Sequence, residues 1–403
     1  MKLNQTDNEQ NTQHHTEGDA VATNPFKPTA GKMPPVLVGR QGVIDEFVEG
    51  LENGAGAPGR LMLISGNRGY GKTVMLGELR REAIARGWTV LPETASRGMC
   101  DRLLQALSPR KARVDAASIS PSVSIEGVVS ASLGNLSITA PEERALTLRD
   151  AINARLAEME PGRGIVFTVD EAQAASEQDM VTLATTLQHV IADQDMSPLP
   201  DDQKRGIAMV FAALPSSVDD LLDNKVLTFL RRAQKERLGD VMIPDVRDSY
   251  VEAVNRAGKE IGFDTAMRAA RHSGGHPYLV QLVGYYMWRS ADKRGSDTIE
   301  PVDVELGVRD AREAFFDAVC APVYYGLRSP QRLFIEAMAR DEEGPSRLAD
   351  IARRCERSSA WASKYRASLI RERVIEAAGY GLVRMRVPHL LDFINEKILW
   401  REE

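Results

Sequence analysis

The stretch LMLISGNRGYGKTVML, residues 61–76, runs from an apolar segment through a glycine-rich turn into a helix-forming segment. Leu61 to Ile64 form a continuous apolar run bounded by glycine, the pattern of a strand buried on both faces, as in a parallel sheet covered by helices. Gly66, Asn67, Arg68, Gly69, Tyr70, Gly71, Lys72 and Thr73 then match G-x-x-x-x-G-K-[ST] at every fixed position. Glycines let the backbone turn successive N–H groups toward one anion, and the helix that follows adds the positive end of its dipole. The Lys72 ammonium reaches the β and γ phosphates of such a ligand, and the Thr73 hydroxyl ligates Mg²⁺. The ligand that needs this construction is a nucleoside triphosphate. A chance glycine-rich strand-to-helix turn is the competing reading, and the full match between strand and helix argues against it.

A phosphate loop of this kind needs a second acidic group from a neighbouring strand, and GIVFTVDEAQ, residues 164–173, supplies one. Ile165 to Val169 read as a buried strand, with Asp170 and Glu171 emerging at its carboxyl end, where ligands gather in open parallel sheets. Asp170 is expected to hold the Mg²⁺ through water, and Glu171 to orient and deprotonate the attacking water. Taken alone, the pair reads equally well as two carboxylates at a helix amino end.

An Asp-Glu pair after the strand points to the additional-strand class of ATPases. The sequence resembles the AAA+ proteins, in the branch of origin-recognition-like, archaeal-type and STAND ATPases, over roughly residues 34–400. Beyond the loop and DEAQ, the resemblance rests on PPVLVGRQGVIDEF (34–47), IAMVFAALPSSVDDLL (207–222), VLTFLRRAQKERLGDV (226–241) and SGGHPYLVQLVGYYMW (273–288). It implies that Gly39 and Arg40 lie beside the adenine, and that Arg231 or Arg232 faces a neighbour's nucleotide from a helix. It also implies that His276 and Pro277 bring a helical lid to the nucleotide. Two arginines on a helix read equally as a solvated face, and His276 as a cap for the helix that Pro277 opens. The chain departs from the family in having Ala212, Ala213 and Leu214, with Ser216 the nearest polar residue, where a sensor asparagine or threonine is common. It also has His276-Pro277 where many relatives carry an arginine. Both departures favour slow hydrolysis and a nucleotide-gated switch.

The expected fold is therefore α/β: an AAA+ P-loop core of parallel sheet and flanking helices, an all-helical lid, and a C-terminal winged helix-turn-helix. Residues 1–24 read as a disordered polar tail, 25–247 as the nucleotide-binding domain, 248–325 as lid and linker helix, and 326–403 as the winged helix. SVSIEGVVSASLGNLSI, within 108–143, alternates polar and apolar residues around a Gly134-Asn135 turn and suggests an inserted β-hairpin that a partner covers.

In the last segment, SPQRLFIEAMAR, SRLADIARRCE and SSAWASKYRASLIRER read as three helices, the third capped by Ser358 or Ser359. VIEAAGYGLVRMRVP reads as two strands around Gly379-Tyr380-Gly381. Although the whole chain carries a net charge of −6, Pro345 to Val387 holds ten basic against four acidic residues, a local balance of about +6. Lys364, Arg366 and Arg371 on the third helix, with Arg384 and Arg386 two apart on a strand, are the candidate contacts to double-stranded DNA. The same module used for protein contacts, its arginines merely solvated, is the alternative.

No apolar run approaches the roughly 18 residues that cross a bilayer, and the amino end lacks the apolar core of a secretory signal. Cys100, Cys320 and Cys355 are far apart in sequence and in no CxxC pairing, which fits a reducing cytoplasm. The leading expectation is an ATP-dependent DNA-binding switch that cycles between ATP and ADP with Mg²⁺, and that has a homo-oligomer or protein partner. A STAND-like signalling or defence ATPase, with the winged helix as an internal clamp, is the alternative, and a scaffold that binds ATP only structurally is a third.

Overall fold

The computed structural model describes residues 23–29, 32–34, 37–54, 56–108, 146–200, 203–215, 217–218, 228–341 and 344–399. The hairpin expected within 108–143, apart from Ser108, and the candidate polar residue Ser216 lie outside them.

Five strands make one parallel sheet in the order β2-β3-β4-β1-β5: β1 (Leu61–Ser65), β2 (Thr89–Thr94), β3 (Gly164–Asp170), β4 (Gly206–Ala213) and β5 (Gln234–Arg237). Every residue of β3 and β4 is buried, as their near-continuous apolar composition requires. Helices cover both faces. Among the described residues these are α1 (Gln41–Glu52), α2 (Lys72–Ala85), α3 (Met99–Leu107), α4 (Leu148–Ala157) and α5 (Glu177–Asp195). One core packs Phe167, Met209 and Phe211 against Leu103, Ile152 and Leu183; the other packs Ile64, Val166 and Val210 against Phe47, Leu76 and Leu79. Because β4 lies between β1 and β3, the phosphate loop and the Asp170-Glu171 pair emerge one strand apart at the same edge.

A helical region follows: α6 (Ile243–Arg256), α7 (Phe263–Ser273), α8 (Pro277–Lys293) and α9 (Pro301–Phe315), with Glu260–Ile261 and Thr298–Ile299 pairing as short strands β6 and β7. Its first helix begins five residues before the Asp248 start read from the apolar pattern, because Pro244 suits the first turn. Residues 24–27 pack on this region. Phe26 is buried edge-on against Tyr250, beneath Gly284, where an added Cβ would come within 2.4 Å of the Phe26 ring. Asn24 donates to the Tyr285 carbonyl, and the Lys27 N–H to the Gln281 side chain.

From α9 the chain passes through a π-helical turn, Phe316–Cys320, into α10 (Ala321–Gly326), then α11 (Ser329–Met338), α12 (Leu348–Arg354), α13 (Ser359–Arg371) and α14 (Leu390–Phe393). Strands β8 (Ser346–Arg347), β9 (Ile375–Gly379) and β10 (Leu382–Met385) form an antiparallel sheet in the order β8-β10-β9. Ser358 caps α13 by accepting from the Trp361 N–H at 3.2 Å. A single apolar cluster runs from Tyr250 and Trp288 through Phe315 and Phe316 to Phe334, Leu369 and Phe393, so these helices and those of the preceding region share one interior.

The amino segment is therefore held by its one buried aromatic. Phe26→Ala should destabilise the helical region by about 3 kcal/mol, the ordinary cost of removing a buried phenyl ring. Thermal or urea melts check this, and a variant that melts like the wild type would show that the ring is not an anchor.

Candidate functional site

The turn after β1 and the start of α2 place their groups without side-chain caps: Gly71, at the N-cap of α2, has φ 82, and Gly69 has the same value. Only glycine adopts this backbone freely. Lys72 is buried; its Nζ donates to the carbonyls of Gly66 at 2.9 Å and Asn67 at 3.3 Å. Burial lowers its pKa, and Glu171 and then Asp170 oppose that by favouring the charged form. The Thr73 hydroxyl donates to Asp170 Oδ2 at 2.6 Å, while Asp170 Oδ1 accepts from the Glu171 N–H at 2.9 Å. Glu171 itself stands at φ 51, a left-handed conformation uncommon outside glycine.

The loop is clasped from the helical side. A Cβ added at Gly69 would lie 2.9 Å from His276 Cε1. The His276 ring is buried, stacked edge-on against Tyr70 at 4.6 Å and against Phe315 at 5.1 Å. Burial depresses its pKa to about 3, so it is neutral at pH 7. His276 occupies the N-cap position of α8, but its side chain makes no capping hydrogen bond, so the capping role read for it is not realised.

Tyr70 is buried as well. Its phenol is pushed up first by burial and next by Asp240, which also accepts its hydrogen bond; Arg386 pulls the other way and Glu376 adds a small upward push. Arg40, beside Gly39 (φ 65), donates to the Gly239 carbonyl and is lowered by burial, with Asp240 opposing.

Around these groups lies a cavity of about 480 Å³. Arg40, the loop from Arg68 to Thr73, and Glu171 line it from the sheet side; Pro277 and Tyr278 line it from α8; and Ala318 and Val319 line it from the π-helical turn. Lys27 and Lys32 of the amino segment close one side. Thus Arg40, Arg68, Gly69, Tyr70, Gly71, Lys72, Thr73, Glu171 and Pro277 line one space, with Gly66 and Asn67 bonded to Lys72, Asp170 to Thr73 and His276 packed on Tyr70 behind that wall; Gly39 adjoins Arg40 and is not part of the lining.

The other candidates are distributed differently. Arg231 and Arg232 are exposed on a 3₁₀ turn, Thr228–Arg232, and not on the α-helix expected; the turn precedes the edge strand β5. Lys364 and Arg371, seven residues apart, share one exposed face of α13, whereas Arg366 is half-buried. Arg384 is exposed and ion-paired with Glu376. Arg386 lies one residue past β10, half-buried, with its N–H donating to Val374 O at 3.0 Å and its charge acting on Tyr70. The face that it was expected to share with Arg384 ends with the strand. Asp240, Gln173 and Phe315 were not singled out by sequence. Gln173 stands inside the quoted DEAQ; the other two carry no local signal.

Residues 36–199 match the model of the AAA ATPase domain, and residues 317–394 match that of a domain of unknown function, DUF8462. Among solved structures, the Aeropyrum pernix ORC2 protein is similar at 14% identity and a TM-score of 0.60, covering 91% of this chain and 96% of its own. A Walker-type ATPase of Pyrococcus abyssi is similar at 16% identity and a TM-score of 0.56, covering 89% and 96%. No curated protein matches the chain.

The neutral, buried His276 gives a pH prediction. Between its ordinary pKa of about 6.5 and its folded value of about 3, the unfolded chain takes up a proton that the folded chain refuses. This group's contribution to stability is therefore lost as pH falls through that window, by up to about 1.4 kcal/mol per pH unit. His276→Asn should flatten the acid limb of the stability curve between about pH 6 and 4. Denaturant titrations at several pH values test it; an unchanged slope would mean that the imidazole is solvated.

Proposed function

We propose that this chain, which matches the AAA ATPase domain over residues 36–199 and shares its fold with the ORC2 protein, works as an ATP-dependent DNA-binding switch. The observation that carries this reading is the composition of the cavity wall: the phosphate loop, the first turn of α8, and the π-helical turn that leads into the basic C-terminal elements all line the same space. Nucleotide there touches the connection between the two ends of the chain directly. Arg40 and Gly39 flank the base, the loop amides and Lys72 bind the phosphates, and Glu171 orients the attacking water.

Thr73 and Asp170 would hold Mg²⁺. Two hard oxygen donors at one point suit that ion, and no cluster of three or more His, Cys, Asp or Glu residues exists among the described residues. Water and the nucleotide's phosphates would supply the other oxygen ligands, as is usual for Mg²⁺ at such sites. Arg231 or Arg232, on the sheet edge, would complete a neighbour's site in an oligomer.

Residues 25–247 act as the nucleotide domain, 248–325 as lid and linker, and 326–403 as a winged helix-turn-helix. The order helix, strand, helix, helix, strand, strand supports that last assignment. Lys364 and Arg371 on α13, with Arg384 on the hairpin, form its DNA face; Arg366 and Arg386 are more enclosed. Three free cysteines fit a reducing cytoplasm, and no described helix is long and apolar enough to cross a membrane.

A second reading has its own support. Arg386 and Glu376 act on Tyr70 of the phosphate loop, and His389 stacks against Phe315, which stacks against His276. These contacts suit a STAND-like clamp, in which the C-terminal module closes on the loop and is released by a protein trigger. That version expects ADP carried through purification and a monomer at rest. Size-exclusion chromatography with and without ATP separates the two readings.

The switch is tested by titrating labelled duplex DNA with wild type and Lys72→Ala across a salt series, with and without ATP. Wild type should bind more tightly with ATP, and Lys72→Ala should not respond. Lys364→Ala should lower the salt slope by about one. An affinity indifferent to both ATP and salt would refute the coupling. Glu171→Gln should retain ATP and lose turnover, and full turnover would remove the carboxylate from the mechanism.

A further inference from the structure

Strand β4 ends without a polar side chain: Ala212 and Ala213 are wholly buried, and Leu214 follows. At that point the Leu214 N–H donates to Oε1 of Gln173 at 3.2 Å, and Nε2 of the same amide donates to Glu171 Oε2. One side chain thus spans from the end of β4 to the carboxylate that faces the cavity. The backbone is folded to permit this. Glu171 stands in the left-handed region at φ 51 and ψ 42, and a 3₁₀ turn, Ala172–Ala174, follows, with the Ala174 N–H donating to the Glu171 carbonyl at 2.7 Å. A non-glycine residue held there costs on the order of 1–3 kcal/mol, and such strain persists only where surrounding contacts fix it. The turn brings Gln173 back beside Glu171.

We infer that Gln173 is a positioning residue for ATP hydrolysis: it fixes the Glu171 carboxylate at the cavity and ties it to the end of β4, in place of a polar residue on that strand. This rests on Glu171 acting on the attacking water. An amide donor on Oε2 leaves Oε1 to accept the proton of that water. Unlike a hydroxyl or an imidazole, the amide is held in a fixed sense, because its oxygen is already committed to the Leu214 N–H. The Glu171 carboxylate also acts on the Lys72 ammonium, with Asp170 adding to it and Arg68 opposing.

Gln173→Met keeps the length and volume of the side chain and removes the amide. Its kcat for ATP should fall roughly ten- to a hundred-fold, with KM and melting temperature unchanged, because a small displacement of a reacting group costs that much. A second variant keeps the polarity. In Gln173→Glu, a protonated carboxyl can donate to Glu171 and still accept from Leu214, whereas the ionised form repels Glu171. Its kcat relative to wild type should therefore rise as pH is lowered from about 8 to about 6, toward the carboxyl range. Wild-type kcat in Gln173→Met, or a loss matched by a lower melting temperature and a higher KM, would overturn the inference, as would a pH-independent ratio in Gln173→Glu. If Glu171→Gln is inactive while Gln173→Met is fully active, this inference alone fails. If Glu171→Gln keeps full turnover, the role of the carboxylate fails with it.

Discussion

The hydrogen bond from Thr73 to Asp170 joins two segments 97 residues apart in the chain, and the site depends on it. Its existence follows from strand order. With β4 between β1 and β3, the first turn of α2 and the end of β3 arrive at one edge, close enough for a hydroxyl to meet a carboxylate. The full burial of β3 and β4 makes that register costly to change, because a one-residue slip would misplace every apolar contact on both faces. The phosphate loop is flexible in composition but is anchored at both ends by parts that are not.

Closing the site from above is the work of apolar and aromatic groups. His276, neutral and enclosed by Tyr70 and Phe315, lies against a glycine whose hydrogen is the only side chain that fits there. A charged residue in that place would carry a heavy desolvation cost. The start of α8 therefore contacts the loop through shape, and leaves charge to Lys72, Arg40 and Asp240.

Much of this was legible in the sequence. The loop and the Asp170-Glu171 pair are local patterns whose chemistry requires fixed spacing, and the three helices and hairpin of the C-terminal segment are marked by period, by Ser358 and by Gly379 and Gly381. What was not legible depended on distant partners. Nothing near Phe26 in sequence says that it fills a space beneath Gly284, some 260 positions away. Arg386 reads as a surface cation because its alternation on a strand is visible, whereas its approach to Tyr70 comes from the packing of separate elements. Gln173 was in view and unremarked, since its meaning comes from a turn and a strand end that no spacing rule connects.

The shared interior running from Tyr250 to Phe393 has a mechanical consequence. A close-packed interior yields little and transmits strain, so the helices α6 to α9 and those of the C-terminal segment are coupled through it. The short run between Leu238, whose N–H donates to the Ser65 carbonyl beside the phosphate loop, and Val241, whose N–H donates to the Gly275 carbonyl, links the sheet to that interior. A shift of the chain along that run is therefore felt across the whole cluster, from Tyr250 to Phe393.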